Sequence, residues 1–243
     1  MELFNFDAFM ASLDIILPAY NPLPGWETTV IQRFQTLQKA LPDLNIHLTI
    51  VNDGSQKLDE TTALEVLRNQ IPDLKWISYP ANRGKGYALR QGVAKSEGDL
   101  ILYTDIDWPY QEQSMLEVID QLRKGADAVI GTRDSRYYDN LPAARRRISK
   151  LLRAINARFL RLKVDDTQAG LKGFTKNLAP VFLKTTIDRY LFDLEFIYLL
   201  SKRKDISVQG HPITLRPGIT FSSMNRKILM QEAKNFVKIW MKS

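Results

Sequence analysis

The chain has 243 residues, of which 44% are hydrophobic and 25% are charged. It is therefore long and apolar enough to bury a core as one large domain or two small ones, and this composition excludes an intrinsically disordered chain. The absence of cysteine excludes disulfide bonds and thiolate metal sites, and the formal net charge of +7 requires a basic surface on the molecule.

The first half of the chain alternates short apolar runs with longer amphipathic segments. The apolar runs predict five strands, at 12–17, 46–51, 75–79, 100–104 and 126–130. Helical spacing of apolar residues predicts helices between them, near 27–40, 58–70, 85–96 and 112–124. Such alternation predicts an α/β protein with a mainly parallel sheet covered by helices, whose functional loops lie at the carboxyl ends of the strands.

The second half of the chain is less regular. A helix is predicted at 143–162, where one apolar stripe contains Ile148, Leu151, Leu152, Ile155, Phe159 and Leu160. A loop at 165–170 follows, then a helix near 192–204, a strand near 206–215 and a last, basic amphipathic helix near 223–241. We see no internal repeat or linker, which favours a single domain.

The first four predicted strands each end in a polar or glycine-rich motif. The motifs are PAYN at 18–21, NDGS at 52–55, NRGKG at 82–86 and DID at 105–107. Any one of them could be an ordinary turn or helix start. Four such motifs at the same edge of a sheet favour one composite site.

The second and third motifs suit a nucleotide diphosphate. Asp53 can accept hydrogen bonds from a base or a ribose, and Gly54 allows the backbone to turn closely beneath it. Gly84 and Gly86 flank Lys85, so backbone and cation could both approach a phosphate at a helix start. The Walker motif and the GxGxxG dinucleotide motif are both absent from these positions.

The fourth motif predicts a metal site. In an extended segment, Asp105 and Asp107 would point the same way, because alternate residues of a strand share a face. Neighbouring carboxylates repel each other unless a cation joins them, and hard oxygen ligands favour Mg²⁺ or Mn²⁺. The alternative interpretation is a solvated acidic turn.

The whole series of motifs resembles the family 2 glycosyltransferases of GT-A fold. Downstream, GTR at 131–133, RRRIS at 145–149, DTQAGLKGF at 166–174 and FDLE at 192–195 are similar to the branch that glycosylates polyprenyl phosphates. That branch includes dolichyl-phosphate glucosyltransferase and dolichyl-phosphate mannose synthase. The resemblance, over residues 12–215, implies one Rossmann-like catalytic domain, with a nucleotide-sugar half at about 12–131 and an acceptor half at about 132–243.

The resemblance also implies roles for individual residues. The donor nucleotide would be bound by Pro18, Tyr20, Asn21, Asp53, Gly84, Lys85 and Gly86. The metal would be held by Asp105 and Asp107, and the acceptor phosphate would be bound by Arg133, Arg145 and Ser149.

Two positions depart from the mannose synthase pattern. Pro109 occupies the place of a third metal ligand, a Gln, and Gly170-Leu171 replaces the usual Gly-Phe after the DTQ element. The DTQ and FDLE elements are more similar to the glucosyltransferases, which favours UDP-glucose over GDP-mannose as the donor.

The family implies direct displacement with inversion at the anomeric carbon. A metal ion and Lys85 would offset the charge that develops on the departing diphosphate. A lipid phosphate is already ionised and needs no general base, whereas a glycan or glycolipid hydroxyl would need one. Asp193 or Glu195 would then be that base; the alternative interpretation of both is charge on a helix surface.

The excess positive charge is concentrated at 131–163. This segment holds ten of the 34 basic residues and two of the 27 acidic residues, so the rest of the chain is nearly neutral. Its helix could lie on an anionic membrane surface, or it could pack on the sheet with its bases in solvent. A nucleic-acid-binding protein is disfavoured because no motif of that class is present.

The sequence contains no membrane-targeting or membrane-spanning signal that we recognise. The first residues include Glu2 and Asp7 without a basic start, and no run approaches 18 uncharged apolar residues. We therefore expect a cytoplasmic enzyme, peripheral on the inner face of the membrane or bound to an integral membrane partner if its acceptor is a lipid.

Overall fold

Seven strands form one sheet in the computed structural model, which describes residues 11–133, 162–164, 166–167, 169–218, 235–236, 238–239 and 241. The strands are β1 (Ser12–Ala19), β2 (Asn45–Asp53), β3 (Lys75–Tyr79), β4 (Leu100–Tyr103), β5 (Ala128–Arg133), β6 (Lys172–Thr175) and β7 (Val208–Ile213). Their order across the sheet is β3-β2-β1-β4-β6-β5-β7.

The sheet is mainly parallel, as the strand–helix alternation predicts. Strands β3, β2, β1 and β4 are parallel neighbours, so their carboxyl ends lie at one edge. Strand β6 is antiparallel to β4 and β5 on either side of it, and β5 pairs in parallel with β7. The first four motifs therefore lie at the same edge of the sheet.

Helices cover both faces of the sheet. They are α1 (Trp26–Ala40), α2 (Glu60–Arg68), α3 (Lys85–Ala94), α4 (Glu112–Arg123), α5 (Ala179–Leu183) and α6 (Phe192–Ser201). In β1, Leu13 and Ile15 pack in the apolar cluster under α1, α2 and α4, whereas Ile16 packs in the cluster under α3, α5 and α6. Both faces of the strand are buried, which explains its continuous apolar run.

The structure corrects several sequence-based bounds. Strand β5 begins at Ala128 and runs to Arg133, whereas the sequence predicted 126–130. Strand β6 was not predicted, because a four-residue segment containing Lys172 and Gly173 has no apolar alternation. It is a strand because it fills the space between β4 and β5, where Phe174 is fully buried.

Two predicted helices lie largely outside the described residues. These are the helix at 143–162, of which only Leu162 is described, and the helix at 223–241. Of the latter, residues 235, 236, 238 and 239 are helical, and Ile239 is buried in the cluster under α6. In the part of the chain that the structure describes, no helix combines the length and the apolar character needed to cross a bilayer.

Three phenylalanines pack against one another in the apolar cluster under α3, α5 and α6. The ring of Phe182 stacks on Phe174 with centroids 5.5 Å apart and meets the edge of Phe196 at 4.8 Å. Such contacts add to the stabilisation from burying three large apolar side chains.

We expect Phe182→Ala to lower the free energy of unfolding by about 3–5 kcal/mol, because it leaves a cavity among packed rings. The adjacent Leu183 is 41% exposed, so Leu183→Ala should change stability by less than about 1 kcal/mol. Urea denaturation of both variants measures the difference. Equal losses would contradict the assignment of Phe182 to the core.

Candidate active site

The four strand-end motifs meet at one cavity with a volume of about 570 Å³. Each motif contributes to its wall, and a segment after α5 adds two further residues to it. The lining residues are Pro18, Ala19, Tyr20, Asp53, Asn82, Gly84, Lys85, Asp105, Ile106, Arg189 and Tyr190. Three of the residues predicted for the site, Asn21, Gly86 and Asp107, lie next to lining residues rather than in the lining.

Asp53 ends β2 and is only 3% exposed. Its Oδ1 accepts hydrogen bonds from the Tyr79 hydroxyl at 2.8 Å and from the Arg83 amide at 2.7 Å. Its Oδ2 accepts from Asn82 Nδ2 at 2.7 Å and from the Gly84 amide at 2.8 Å. Four donors match the lone pairs of a carboxylate. Asp53 therefore shapes the third motif, and a bond from Asp53 to a base or ribose would have to displace one donor.

The glycines of the third motif allow another segment to pack against the start of α3. The amides of Gly86 and Tyr87 donate to the Asp188 carbonyl at 2.7 and 3.2 Å. Gly84 has φ +110°, and a Cβ there would lie 2.5 Å from the same carbonyl oxygen. Two backbone amides at the start of α3 are thus already hydrogen-bonded within the protein. The sequence predicted that these glycines let the backbone approach a phosphate, whereas in the structure they let the backbone at Asp188 approach the helix. The side chain of Lys85 does reach the cavity.

The first and second motifs are tied together by Asn21. Its backbone amide donates to Ser55 Oγ at 2.8 Å, and its Oδ1 accepts from the Lys57 amide at 3.1 Å. Its φ of +45° lies in the left-handed region, which asparagine tolerates better than most residues. The tie fixes the end of β1, where Tyr20 is 52% exposed at the rim of the cavity.

The DID motif forms a tight turn rather than an extended segment. The amide of Trp108 donates to the Asp105 carbonyl at 2.9 Å, and Trp108 has φ +49°. The Arg216 guanidinium donates to the carbonyls of Asp107 and Trp108, both at 2.7 Å. The structural reason predicted for the pair, two alternate positions of a strand, is therefore wrong, although the two residues do lie in one turn.

Charges in this turn perturb one another. Burial raises the pKa of Asp107, and repulsion by Asp105 raises it further. Lys85 Nζ donates to Asp105 Oδ1 at 2.5 Å. Burial alone would lower the pKa of Lys85, but the carboxylates around it, first of all Asp105, outweigh burial and raise this pKa. The motif is thus a partly compensated acidic site facing a lysine.

The loop before β6 touches the acidic turn. A Cβ on Gly170 would lie 2.4 Å from Asp105 Oδ2, so only glycine fits at this position without displacement. The amide of Gly170 donates to the Tyr110 hydroxyl at 2.6 Å. This places Gly170 beside the predicted metal ligand.

Arg133 is the one predicted acceptor-binding residue that the structure describes. Its Nε and Nη2 donate to Oδ2 and Oδ1 of the buried Asp166, each at 2.7 Å, and its backbone amide also donates to Oδ2. This bidentate pair orients the guanidinium at the end of β5. Arg145 and Ser149 lie outside the described residues.

Residues 14–180 match the sequence model of Glycosyl transferase family 2. The chain belongs to this family. It is therefore a glycosyltransferase, and the expected membership is confirmed.

Three similar proteins are named dolichyl-phosphate beta-glucosyltransferases. The chain is 26% identical to a dolichyl-phosphate beta-glucosyltransferase of Drosophila melanogaster, over 96% of this chain and 78% of that protein. It is 28% identical to the Dictyostelium discoideum enzyme of the same name, over 78% of this chain and 62% of that protein. The Homo sapiens enzyme is 26% identical, over 79% and 64%. The matched region thus spans less than two thirds of the length of two of these relatives.

Solved structures confirm the GT-A fold. Glucosyl-3-phosphoglycerate synthase from Mycobacterium tuberculosis, in complex with Mn²⁺, UDP and glucosyl-3-phosphoglycerate, superposes with a TM-score of 0.61 at 16% identity, covering 96% of this chain and 79% of that one. A mannosyltransferase from Pyrobaculum calidifontis, with GDP-Man and Mn²⁺, gives 0.56 at 18% identity, covering 82% and 54%. At these identities the likeness concerns the fold alone.

The two acids considered as a general base in this glycosyltransferase are buried, so their interpretation as helix-surface charge is wrong. Asp193 Oδ1 accepts from the Tyr103 hydroxyl at 2.6 Å and from Lys172 Nζ at 2.8 Å. Glu195 accepts from the amides of Thr186 and Ile187 at 2.7 and 2.9 Å. Glu195 therefore fixes the loop before α6.

Lys172 is a functional-site neighbour that sequence reasoning missed. It is fully buried in β6, and its Nζ donates to the Ala169 carbonyl at 2.5 Å as well as to Asp193. Burial lowers its pKa, although Asp193 opposes this shift. The only signal in the sequence is a lysine between Leu171 and Gly173, which does not reveal burial.

We expect Asp53→Asn to destabilise the protein by about 1–3 kcal/mol, because the new amide group would face donors instead of accepting from them. Asp73 is an exposed aspartate in the turn before β3, and Asp73→Asn serves as the matched control. Thermal and urea unfolding of both variants measure the effect. A stability of Asp53→Asn equal to that of the control would show that the four bonds do not hold the loop.

Proposed function

We propose that this glycosyltransferase moves a sugar from a nucleotide-sugar donor to a polyprenyl phosphate, with UDP-glucose as the favoured donor and GDP-mannose as the alternative. The observation that carries the proposal is the cavity in which Lys85 and Asp105 meet at the carboxyl ends of the strands. The names of the curated relatives, which specify dolichyl phosphate and glucose, support this choice of acceptor and sugar.

The donor nucleotide would bind between the first three motifs. Pro18 and Tyr20 form the wall at the end of β1, and Asn21 ties that wall to the NDGS loop. Asp53 sets the shape of the opposite loop, where Gly84 and Gly86 bring α3 to the cavity. Lys85 supplies a positive charge for the diphosphate at this helix start.

The residues of the DID turn fit a divalent cation, Mg²⁺ or Mn²⁺. Asp105 and Asp107 are two hard oxygen donors in one turn, and the raised pKa of Asp107 reflects burial together with repulsion by Asp105. Gly170 keeps a side chain away from Asp105 Oδ2. When bound, such an ion would offset the negative charge that develops on the departing diphosphate.

The acceptor chemistry needs no general base. An ionised phosphate oxygen attacks the anomeric carbon, the bond from that carbon to the diphosphate breaks, and the nucleoside diphosphate leaves with the electron pair, inverting the configuration. Arg133, oriented by Asp166, would position the acceptor phosphate together with Arg145 and Ser149. Asp193 would act by holding Tyr103 and Lys172 rather than by taking a proton.

A lipid phosphate would bring the enzyme to a membrane surface. The ten basic residues at 131–163 include Arg133 and suit an anionic surface or an integral membrane partner. We therefore propose a cytoplasmic enzyme that acts at the inner face of a membrane.

The proposal is tested with radiolabelled UDP-glucose and GDP-mannose, Mn²⁺ or Mg²⁺, and liposomes that contain dolichyl phosphate. We expect label to enter the lipid fraction with UDP-glucose, and only when both the metal ion and the lipid phosphate are present. Transfer to a soluble sugar or a glycolipid hydroxyl, with none to the lipid phosphate, would instead favour the alternative family 2 activity on a hydroxyl acceptor.

We expect Asp105→Asn and Asp107→Asn each to lower metal-dependent transfer by at least about 100-fold, because charge stabilisation of the leaving diphosphate is lost. They should also abolish the rise in melting temperature that Mn²⁺ and UDP produce together. Asp120→Asn, on the exposed surface of α4, is the matched control and should behave like the wild type. Full Mn²⁺-dependent activity in both DID variants would refute the metal assignment.

A further inference from the structure

The segment after α5 forms a wall of the donor cavity, although it belongs to the acceptor half of the chain. Arg189 and Tyr190 line the cavity together with Lys85 and Asp105. A Cβ on Gly84 would lie 3.0 Å from Arg189 Cγ, so the aliphatic part of Arg189 packs on the glycine that precedes α3. Arg189 is therefore placed at the same corner of the cavity as Lys85.

The backbone that carries Arg189 is firmly held. The Asp188 carbonyl accepts from the amides of Gly86 and Tyr87, and the Asp188 carboxylate pairs with Arg90. Arg90 Nη1 also donates to the Ile187 carbonyl at 3.0 Å. The same contacts occupy two amides at the start of α3, so they cannot serve a phosphate there. An anion at this corner would have to rely on cationic side chains.

Lys85 and Arg189 are the basic residues that line the cavity in the described part of the chain, and they differ in their partners. Lys85 pairs with Asp105, and the neighbouring Arg90 pairs with Asp188. No carboxylate in the described parts of the chain pairs with Arg189, which is partly buried. A cation held in a wall without a counter-ion provides a site for an anionic ligand.

The charges of the proposed donor complex favour a further cation beside Lys85. The two carboxylates of the DID turn balance one divalent ion, which leaves the positive charge of Lys85. Both phosphates of a nucleotide sugar are ionised at neutral pH, so Lys85 alone leaves one of them unmatched. Arg216 is engaged by the backbone carbonyls of the DID turn, whereas Arg189 lines the cavity, and its planar guanidinium can donate two hydrogen bonds to one phosphate.

We propose that Arg189 binds the diphosphate of the nucleotide-sugar donor, as the second cationic group beside Lys85. This inference rests on the proposed donor-binding function. It assigns a diphosphate-binding role to a residue from the half of the chain that was expected to serve the acceptor, and it makes the α5–α6 segment part of the donor site.

The test compares binding of UDP and of uridine, with GDP and guanosine in parallel, by titration calorimetry and saturation-transfer NMR. The variants are Arg189→Ala, Arg189→Lys and the control Arg203→Ala, whose exposed side chain pairs with Asp205. Binding is measured with Mn²⁺ and again with EDTA. Unfolding of each ligand-free variant shows whether it retains the wild-type fold.

We expect Arg189→Ala to weaken UDP binding by about 10- to 100-fold and to leave uridine binding unchanged, because only the diphosphate is contacted. Arg189→Lys should recover part of the loss, and Arg203→Ala should match the wild type. The loss should persist in EDTA, because the contact needs no metal ion.

Three results would overturn the inference. They are unchanged UDP binding in Arg189→Ala, an equal loss for UDP and uridine, and a raised KM for dolichyl phosphate with normal UDP binding. The last result would assign Arg189 to the acceptor instead. Failure of the wild type to bind UDP or GDP would refute the proposed donor function itself, so the two failures are distinguishable.

Discussion

The carboxylate of Asp53, with its four hydrogen-bond donors, determines where the loop after β3 runs. A buried carboxylate is costly unless its lone pairs are satisfied, and here Tyr79 and the backbone near Gly84 satisfy them. Because the loop supplies three of the four donors, these hydrogen bonds fix its position. The start of helix α3 is therefore fixed, and Lys85, the first residue of this helix, lies in the wall of the cavity.

A second buried network, formed by Lys172, Asp193 and the Ala169 carbonyl, lies next to the DID turn. Lys172 bonds both Asp193 and the Ala169 carbonyl, and the next residue, Gly170, lies against Asp105. Buried ion pairs contribute little net stability, but removing one partner is strongly destabilising. The network thus contributes mainly by fixing the position of the loop before β6. Asp105 lies between Gly170 of this loop and Lys85.

The convergence of the four motifs was predictable, because neighbouring parallel strands end at the same edge and each motif follows an apolar run. The detailed roles within the motifs were not. A sequence shows that Asp53 is followed by glycine, but not that its oxygens accept three hydrogen bonds from the third motif and one from Tyr79. Likewise, Asp193 in a helix pattern gives no sign that β6 brings a lysine beneath it. Such contacts join distant residues and arise only from tertiary packing.

The way the α5–α6 segment packs on α3 has a consequence for how the protein is made. The proposed donor cavity is lined by residues from Pro18 to Tyr190, and β6 pairs with β4 inside the sheet rather than at its margin. A chain emerging from the ribosome can pair its early strands, but the cavity has no complete wall until residue 190 has been synthesised. At the proposed donor site, a nucleotide would therefore stabilise the fold only after residue 190 has been synthesised, so the ligand would act as a check on this packing rather than as a guide to it.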